Sequence, residues 1–311
     1  MTDGEFRRNI FFDGIFDKLE GTQEVQNPPE DIFTPYVMSN KLPVTLICKD
    51  KLRRTRPLLG DDFDSLKHIA GPEYVHSLKV TICTPEWFHF RHGKHTYDKG
   101  VYANDDLYSR GCRNIQIDDP ILVFFCDENF GGKMRQADVD PEALLDYYIQ
   151  ILNKCLKDRP SDMTAGIHMC RGNSTNGRFF AQGGYDRIAI KLFNEVDVDC
   201  YYLEYDTMRA GGFEPLKYLP RNKTVVLGVV TTKEPDLEDP EMLRQRVLDA
   251  AGMVASGAAA CTLAEALNQL CISPQCGFSS TSQGNVRVTD EDMKNKLSLV
   301  VRTAQMIWGQ D

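Results

Sequence analysis

From about residue 78 onward, short apolar runs alternate with amphipathic stretches. The runs are Leu78–Cys83, Asn114–Asp118, Thr164–Met169, Asp199–Glu204, Thr224–Val230 and Gln269–Ser273. Several are almost continuously apolar, as parallel strands covered on both faces are. Between them, Pro141–Leu156 carries apolar residues at helical spacing and opens on Asp-Pro-Glu, a helix start signal. Arg187–Asn194 predicts a shorter helix. Pro240 to about Leu270 predicts a long, alanine-rich one, interrupted at Gly252 and Gly257. Asp290–Trp308 predicts an amphipathic helix capped by Thr289 or Asp290. Upstream the pattern yields a turn at Asn27-Pro28-Pro29 and one strand, Val44–Cys48. Strand and helix alternating over this length predict an α/β fold with a parallel sheet. A doubly wound sheet and a closed barrel both satisfy that pattern.

Composition narrows the function classes. A chain of 311 residues can bury a core without metal or disulfide staples. The net charge of −9 and pI near 5.3 lack the basic footprint of a nucleic-acid binder or a membrane-surface protein. The run Lys49, Lys51, Arg53, Arg54, Arg56 is broken by Asp50 and reads as a solvated face. No apolar run approaches the roughly 18 residues of a membrane span. The N-terminus lacks the apolar segment of a signal peptide. Ten scattered cysteines then predict reduced thiols in the cytoplasm, and the Asn-x-Ser/Thr matches at Asn173 and Asn222 read as accidental.

Three strand ends carry chemistry. His168 and Cys170 close one run, Glu204 closes another, and Cys276 follows a third. His168 and Cys170 are two apart, so along a strand both side chains face the same way. In a barrel the C-terminal strand ends meet at one mouth. Two thiolates, an imidazole and a carboxylate there suit tetrahedral zinc. Each residue also has a plainer reading, a small buried hydrophobe for Cys170 and a satisfied core imidazole for His168. A glutamate ending an apolar strand is costly unless paired or ligating.

The strings Ile115-Gln-Ile-Asp118-Asp119-Pro120, Gly166-Ile-His168-Met-Cys170-Arg-Gly-Asn, Asp199-Cys-Tyr-Tyr-Leu-Glu204-Tyr-Asp206 and Ser273-Pro-Gln-Cys276-Gly277-Phe resemble, in order, four motifs of cobalamin-independent methionine synthase. The resemblance is closest to short, stand-alone MetE-like proteins and covers roughly residues 78–310. It implies a (β/α)₈ TIM barrel of the UROD/MetE-like type, here with an incomplete or irregular N-terminal part. Residues 1–77 are expected to form an irregular segment of that barrel and residues 78–311 the catalytic part of a single domain. The resemblance further implies Zn²⁺ held by His168, Cys170, Glu204 and Cys276. It implies Asp118, with Asp119 beside it, as the anchor of a substrate amino group. The implied reaction is methyl or alkyl transfer to a small thiol, with homocysteine and a methylfolate as the family pair. The implied partners are small molecules.

The chain departs from the family at identifiable places. Lys233 stands where the family histidine assists transfer, in Gly228-Val-Val-Thr-Thr-Lys233-Glu-Pro. A lysine there can hydrogen-bond substrate but is a poor proton shuttle near neutrality. The N-terminal His-Ile-Gly-Ser-like motif is absent, Tyr97–Gly111 is short, and Ala250–Ala266 reads as an insertion. Two alternatives stay open, a catalytically impaired or accessory relative and a lyase or decarboxylase on the same fold. His89, His92 and His95 lie three apart in a charged, loop-like stretch and read as surface or mouth residues. Gly183-Gly184 and Gly211-Gly212 read as turns, and Asp127-Glu128 as a solvated rim.

Overall fold

The computed structural model describes residues 11–28, 33–34, 44–92, 110–173, 177–278 and 285–309, together with residues 2, 4, 7 and 8. The chain forms two compact units, Met1–Ile121 with Asn129–Ala165, and Leu122–Glu128 with Gly166–Asp311. Six strands are parallel and follow one another in chain order. No helix among the described residues is long and apolar enough to cross a membrane.

In the first unit, β1 (Leu19–Gln26) pairs antiparallel with β2 (Val44–Arg54), with a bulge between Glu20 and Thr22. The strand expected at Val44–Cys48 therefore continues through the basic run to Arg54. An antiparallel pair tolerates one wet face, so charge does not end it. Arg53 forms an exposed ion pair with Glu20. Helix α1 (Gly60–Ala70) leads to β3 (Lys79–Cys83), which pairs in parallel with β4 (Asn114–Asp118). Helix α2 (Glu86–His92) follows β3, then α3 (Glu128–Gln136) and α4 (Pro141–Leu156) follow β4. The side chain of Asp140 accepts the Glu142 N–H and starts α4, as Asp-Pro-Glu predicts.

Helix α2 corrects the loop expected around the histidines. His89 Nδ1 lies 2.9 Å from the Tyr148 hydroxyl, and buried His92 lies 3.1 Å from Thr45 Oγ1. The two imidazoles serve different packing partners rather than the surface. His95, like the connection 97–109, lies outside the described residues.

Glu86 opens α2 wholly buried, close to Asp119. Burial, reinforced by the Asp119 charge, raises its carboxyl well above the ordinary carboxylate range. A group raised in the folded state contributes stability below its unfolded value and loses it as pH climbs through the folded value. Glu86→Gln keeps the shape without the proton. Its melting temperature is expected to fall less than the parent's as pH rises from the ordinary carboxylate range into the alkaline range. Equal slopes in thermal melts would contradict this.

In the second unit, β5 (Thr164–Met169), β6 (Cys200–Glu204), β7 (Thr224–Val230) and β8 (Leu270–Pro274) form a parallel ladder. The alternating residues Val225, Leu227 and Val229 are fully buried, as are Ile167, Met169 and Tyr201. Helix α5 (Ala189–Glu195) links β5 to β6. Helix α6 (Pro240–Ala255) is capped by Asp239 and runs straight through Gly252. That glycine faces open space, and its cost of about 1 kcal/mol does not break a packed helix. The interruption comes at Ser256-Gly257, so the expected insertion is the end of α6 and the short α7 (Leu263–Leu267). Thr289, not Asp290, caps α8 (Asp290–Trp308), sharing a capping box with Asp292. Asp127 corrects the expected rim: it is buried and accepts the Gln182 N–H at 2.9 Å. Glu128 is exposed and pairs with Arg187.

Candidate metal centre

β5 presents His168 near its end and Cys170 just beyond it, and the turn after β8 presents Cys276. The imidazole and the two sulfurs have ligand atoms within 4.8 Å of one another. Cys276 Sγ is 3.6 Å from His168 Nε2. Zinc–sulfur and zinc–nitrogen bonds of about 2.3 and 2.0–2.1 Å put tetrahedral ligands roughly 3.5–3.8 Å apart, so the group fits that ion with small adjustments. Two glycines make the approach possible. Gly172 turns the chain after Cys170 at φ +94°, and a Cβ there would sit 2.2 Å from the Phe180 ring. A Cβ on Gly228 of β7 would sit 2.7 Å from Gln275 Cα, beside Cys276.

The two thiols behave as a pair. A hydrogen bond from Cys276 holds Cys170 well below the ordinary thiol range against its burial, and His168 adds to this. The same bond, with burial, pushes Cys276 well above that range. Within the pair, Cys170 is thus the lower thiol and Cys276 the higher. By contrast, burial pushes Cys126 up to about 12, which leaves it unreactive. The nine cysteines whose side chains are described are all free thiols.

Glu204 ends β6 fully buried, but its carboxylate is not among the converging ligand atoms. Oε2 accepts the Arg171 N–H at 2.7 Å, and Oε1 accepts Arg209 Nη2 at 2.6 Å. Arg209 also bonds Asp206 Oδ1 at 3.1 Å. The burial cost that marked Glu204 in the sequence is met here by an amide and a guanidinium. Three of the four expected ligands stand together, and the fourth is held by arginine.

Arginine residues carry the surroundings. Arg171 is buried with its guanidinium 4.5 Å from the Tyr185 ring centre. It donates to Gly183 O and to the Tyr185 hydroxyl, the latter at 3.0 Å. Tyr185 in turn donates to Met169 O at 3.1 Å and accepts the Glu204 N–H at 3.1 Å, tying the ends of β5 and β6. Asn173 Nδ2 donates to Gly277 O at 2.7 Å, and Thr232 Oγ1 donates to Gln275 Oε1. Those bonds stitch the segments after β5, β7 and β8 together. Sequence reasoning assigned Arg171, Tyr185 and Arg209 no role, although an arginine directly after a buried strand is itself a signal.

Lys233 follows β7 with its side chain almost wholly buried. Its Nζ has no hydrogen-bond partner among the described residues, and its charge draws the Cys276 thiol down. Asp118 and Asp119 belong to the first unit. There Asp118 Oδ1 accepts Gln116 Nε2 at 2.6 Å, and buried Asp119 accepts the Ile121 N–H at 2.6 Å.

Parallel strands with alternating helices, and a His-Cys-Cys group at the strand ends, define an α/β protein equipped to hold a thiophilic metal. The chain belongs to the cobalamin-independent synthase family: the model of that family's catalytic domain matches residues 101–298. Two uncharacterized Bacillus subtilis (strain 168) proteins, YxjG and YxjH, are each 34% identical over 99% of this chain and 80% of their own. Among solved structures, a candidate vitamin-B12 independent methionine synthase from Listeria monocytogenes aligns with a TM-score of 0.67 at 24% identity, over 100% of this chain and 81% of that one. A B12-independent methionine synthase from Shewanella sp. W3-18-1, solved in complex with selenomethionine, aligns with a TM-score of 0.65 at 16% identity, over 98% and 81%. These likenesses establish the fold, the MetE-like barrel type with an irregular N-terminal part.

Proposed function

We propose that the protein is a zinc-dependent transferase that moves a methyl or alkyl group onto a small thiol. The observation that carries this reading is the meeting of an imidazole nitrogen of His168, Cys170 Sγ and Cys276 Sγ within 4.8 Å at strand ends. Those three residues would hold the ion, with Glu204 as a fourth ligand if it leaves Arg209. Bound zinc makes a thiol a thiolate at neutral pH. The protein does the rest. Gly172 and Gly228 bring the ligand segments together, while Arg171 and Tyr185 fix the ends of β5 and β6. Fixed orientation turns a bimolecular transfer into an effectively unimolecular one. Asp118 and Asp119 are the proposed anchors for a substrate amino group, and Lys233 the proposed hydrogen-bond donor to substrate. A reducing compartment such as the cytoplasm suits the free thiols.

The test is direct. Zinc-loaded protein, homocysteine and a methylfolate are incubated, and the thioether is measured by mass spectrometry. Product in proportion to zinc content, lost on chelation, is the expected result. A zinc-loaded protein that forms no more thioether than the metal-free protein would overturn the reading. That outcome would favour a second reading, a metal-binding relative without transfer activity, which draws on Arg209 holding Glu204 and on Lys233 in place of histidine.

A further inference from the structure

At the ends of β5, β6 and β7 lies a cavity of about 570 Å³ whose lining is rich in cations. Arg178, Arg209, Lys233 and Arg287 line it, with Glu234 as the acidic residue and Phe179 as the aromatic one. Two of the cations are already matched. Arg287 pairs with Glu234, and Arg209 pairs with Glu204 and Asp206. Arg178 and Lys233 form no ion pair among the described residues. The Phe179 ring lies 4.5 Å from the Arg209 guanidinium and gives the cavity an apolar wall.

Lys233 is the decisive residue. It is 4% exposed, and its ammonium has no hydrogen-bond partner among the described residues. A buried ammonium without a partner is costly, so its position calls for an acceptor. Its location is not an accident of a loose loop. Glu238 accepts the Thr231 N–H at 2.7 Å and Lys296 Nζ at 3.2 Å, and Lys296 also donates to Asp236 O at 2.6 Å. Thus α8 pins the segment that carries Lys233.

We infer that this cavity is an oxyanion subsite, in which Lys233 and Arg178 hold a carboxylate or phosphate group of the substrate. An ammonium and a guanidinium facing one cavity make charge-assisted bonds to such a group. The inference deepens the proposed transfer by giving the thiol substrate a compact anionic end, while the subsite itself stands on the cavity alone.

The experiment uses the zinc-loaded chain in calorimetric titrations. Inorganic phosphate is titrated first, into the parent, Lys233→Met and Arg178→Met. Next, 3-mercaptopropionate is compared with 3-mercapto-1-propanol, a thiol of similar size without the charge. Phosphate is expected to bind the parent and to weaken about tenfold or more in each variant. The acid is expected to bind about tenfold more tightly than the alcohol, with phosphate competing. Preference for the thiol acid with weak phosphate binding identifies a carboxylate as the natural group, and the opposite order a phosphate. Arg178 is exposed, so its variant reports binding even if Lys233→Met folds poorly. No phosphate binding and no acid preference would overturn the subsite. Loss of zinc from Lys233→Met with unchanged anion binding would do the same, because Lys233 would then serve only to balance the thiolates. Phosphate binding through Lys233 without thioether formation keeps the subsite and rejects the transfer. Thioether formation without any anion preference does the reverse.

Discussion

Cys276→Ser is expected to remove stoichiometric zinc from the protein. Serine occupies the same space, but its hydroxyl gives up a proton far less readily than a thiol and is a poor zinc donor. The substitution takes away one of the two sulfurs and leaves His168 and Cys170 alone at the centre. It also removes the hydrogen bond that lowers the Cys170 thiol against its burial. The loss should exceed the roughly 10–100-fold that outlying partners of a metal site cost. Competition with a chromophoric chelator measures it. The fold should persist, because Cys276 sits in a partly exposed turn after β8. A variant that kept the parent's affinity would remove Cys276 from the site.

The largest loss of stability is expected for Arg171→Leu. The side chain is 1% exposed and bonds to the carbonyl of Gly183 and to the hydroxyl of Tyr185. Longer contacts reach the carbonyls of Glu204 and Ala210, at 3.4 and 3.5 Å. Leucine fills part of the volume and satisfies none of these acceptors. It also strips a compensating charge from buried Glu204. Breaking such a buried network by removing one partner costs about 3–5 kcal/mol. For a chain of this size the melting temperature should fall on the order of 10 °C. A fall equivalent to less than about 0.5 kcal/mol, the range of ordinary surface changes, would show that the network is not structural.

Much of this architecture is legible in the sequence, for identifiable reasons. β4, β5 and β7 have the bounds that their apolar runs predict, since strands covered on both faces carry an unambiguous signal. α4 and α8 are legible from their periodicity and from Asp140 and Thr289. β1 is not, because Leu-Glu-Gly-Thr-Gln-Glu-Val-Gln is mostly polar and pairs with a strand distant in sequence. α1 opens without a side-chain cap, and α3 carries two adjacent glycines, so neither announces itself.

The metal-type group follows the same logic. His168, Cys170 and Cys276 are readable because strand ends deliver them. The engagement of Glu204 is not, because it depends on the turn that brings Arg209 back and on the amide of Arg171. The cationic cavity was equally hidden. Its cations come from four separate segments of an acidic chain, and net charge says nothing of where they meet.

Zinc held by His168, Cys170 and Cys276, as proposed, has two sulfur donors and one imidazole donor. Zinc K-edge X-ray absorption of the zinc-loaded protein tests this donor set most directly. Two sulfur scatterers at about 2.3 Å are expected, with an imidazole nitrogen at about 2.0–2.1 Å. A shell of oxygen and nitrogen alone, with no sulfur, would contradict it.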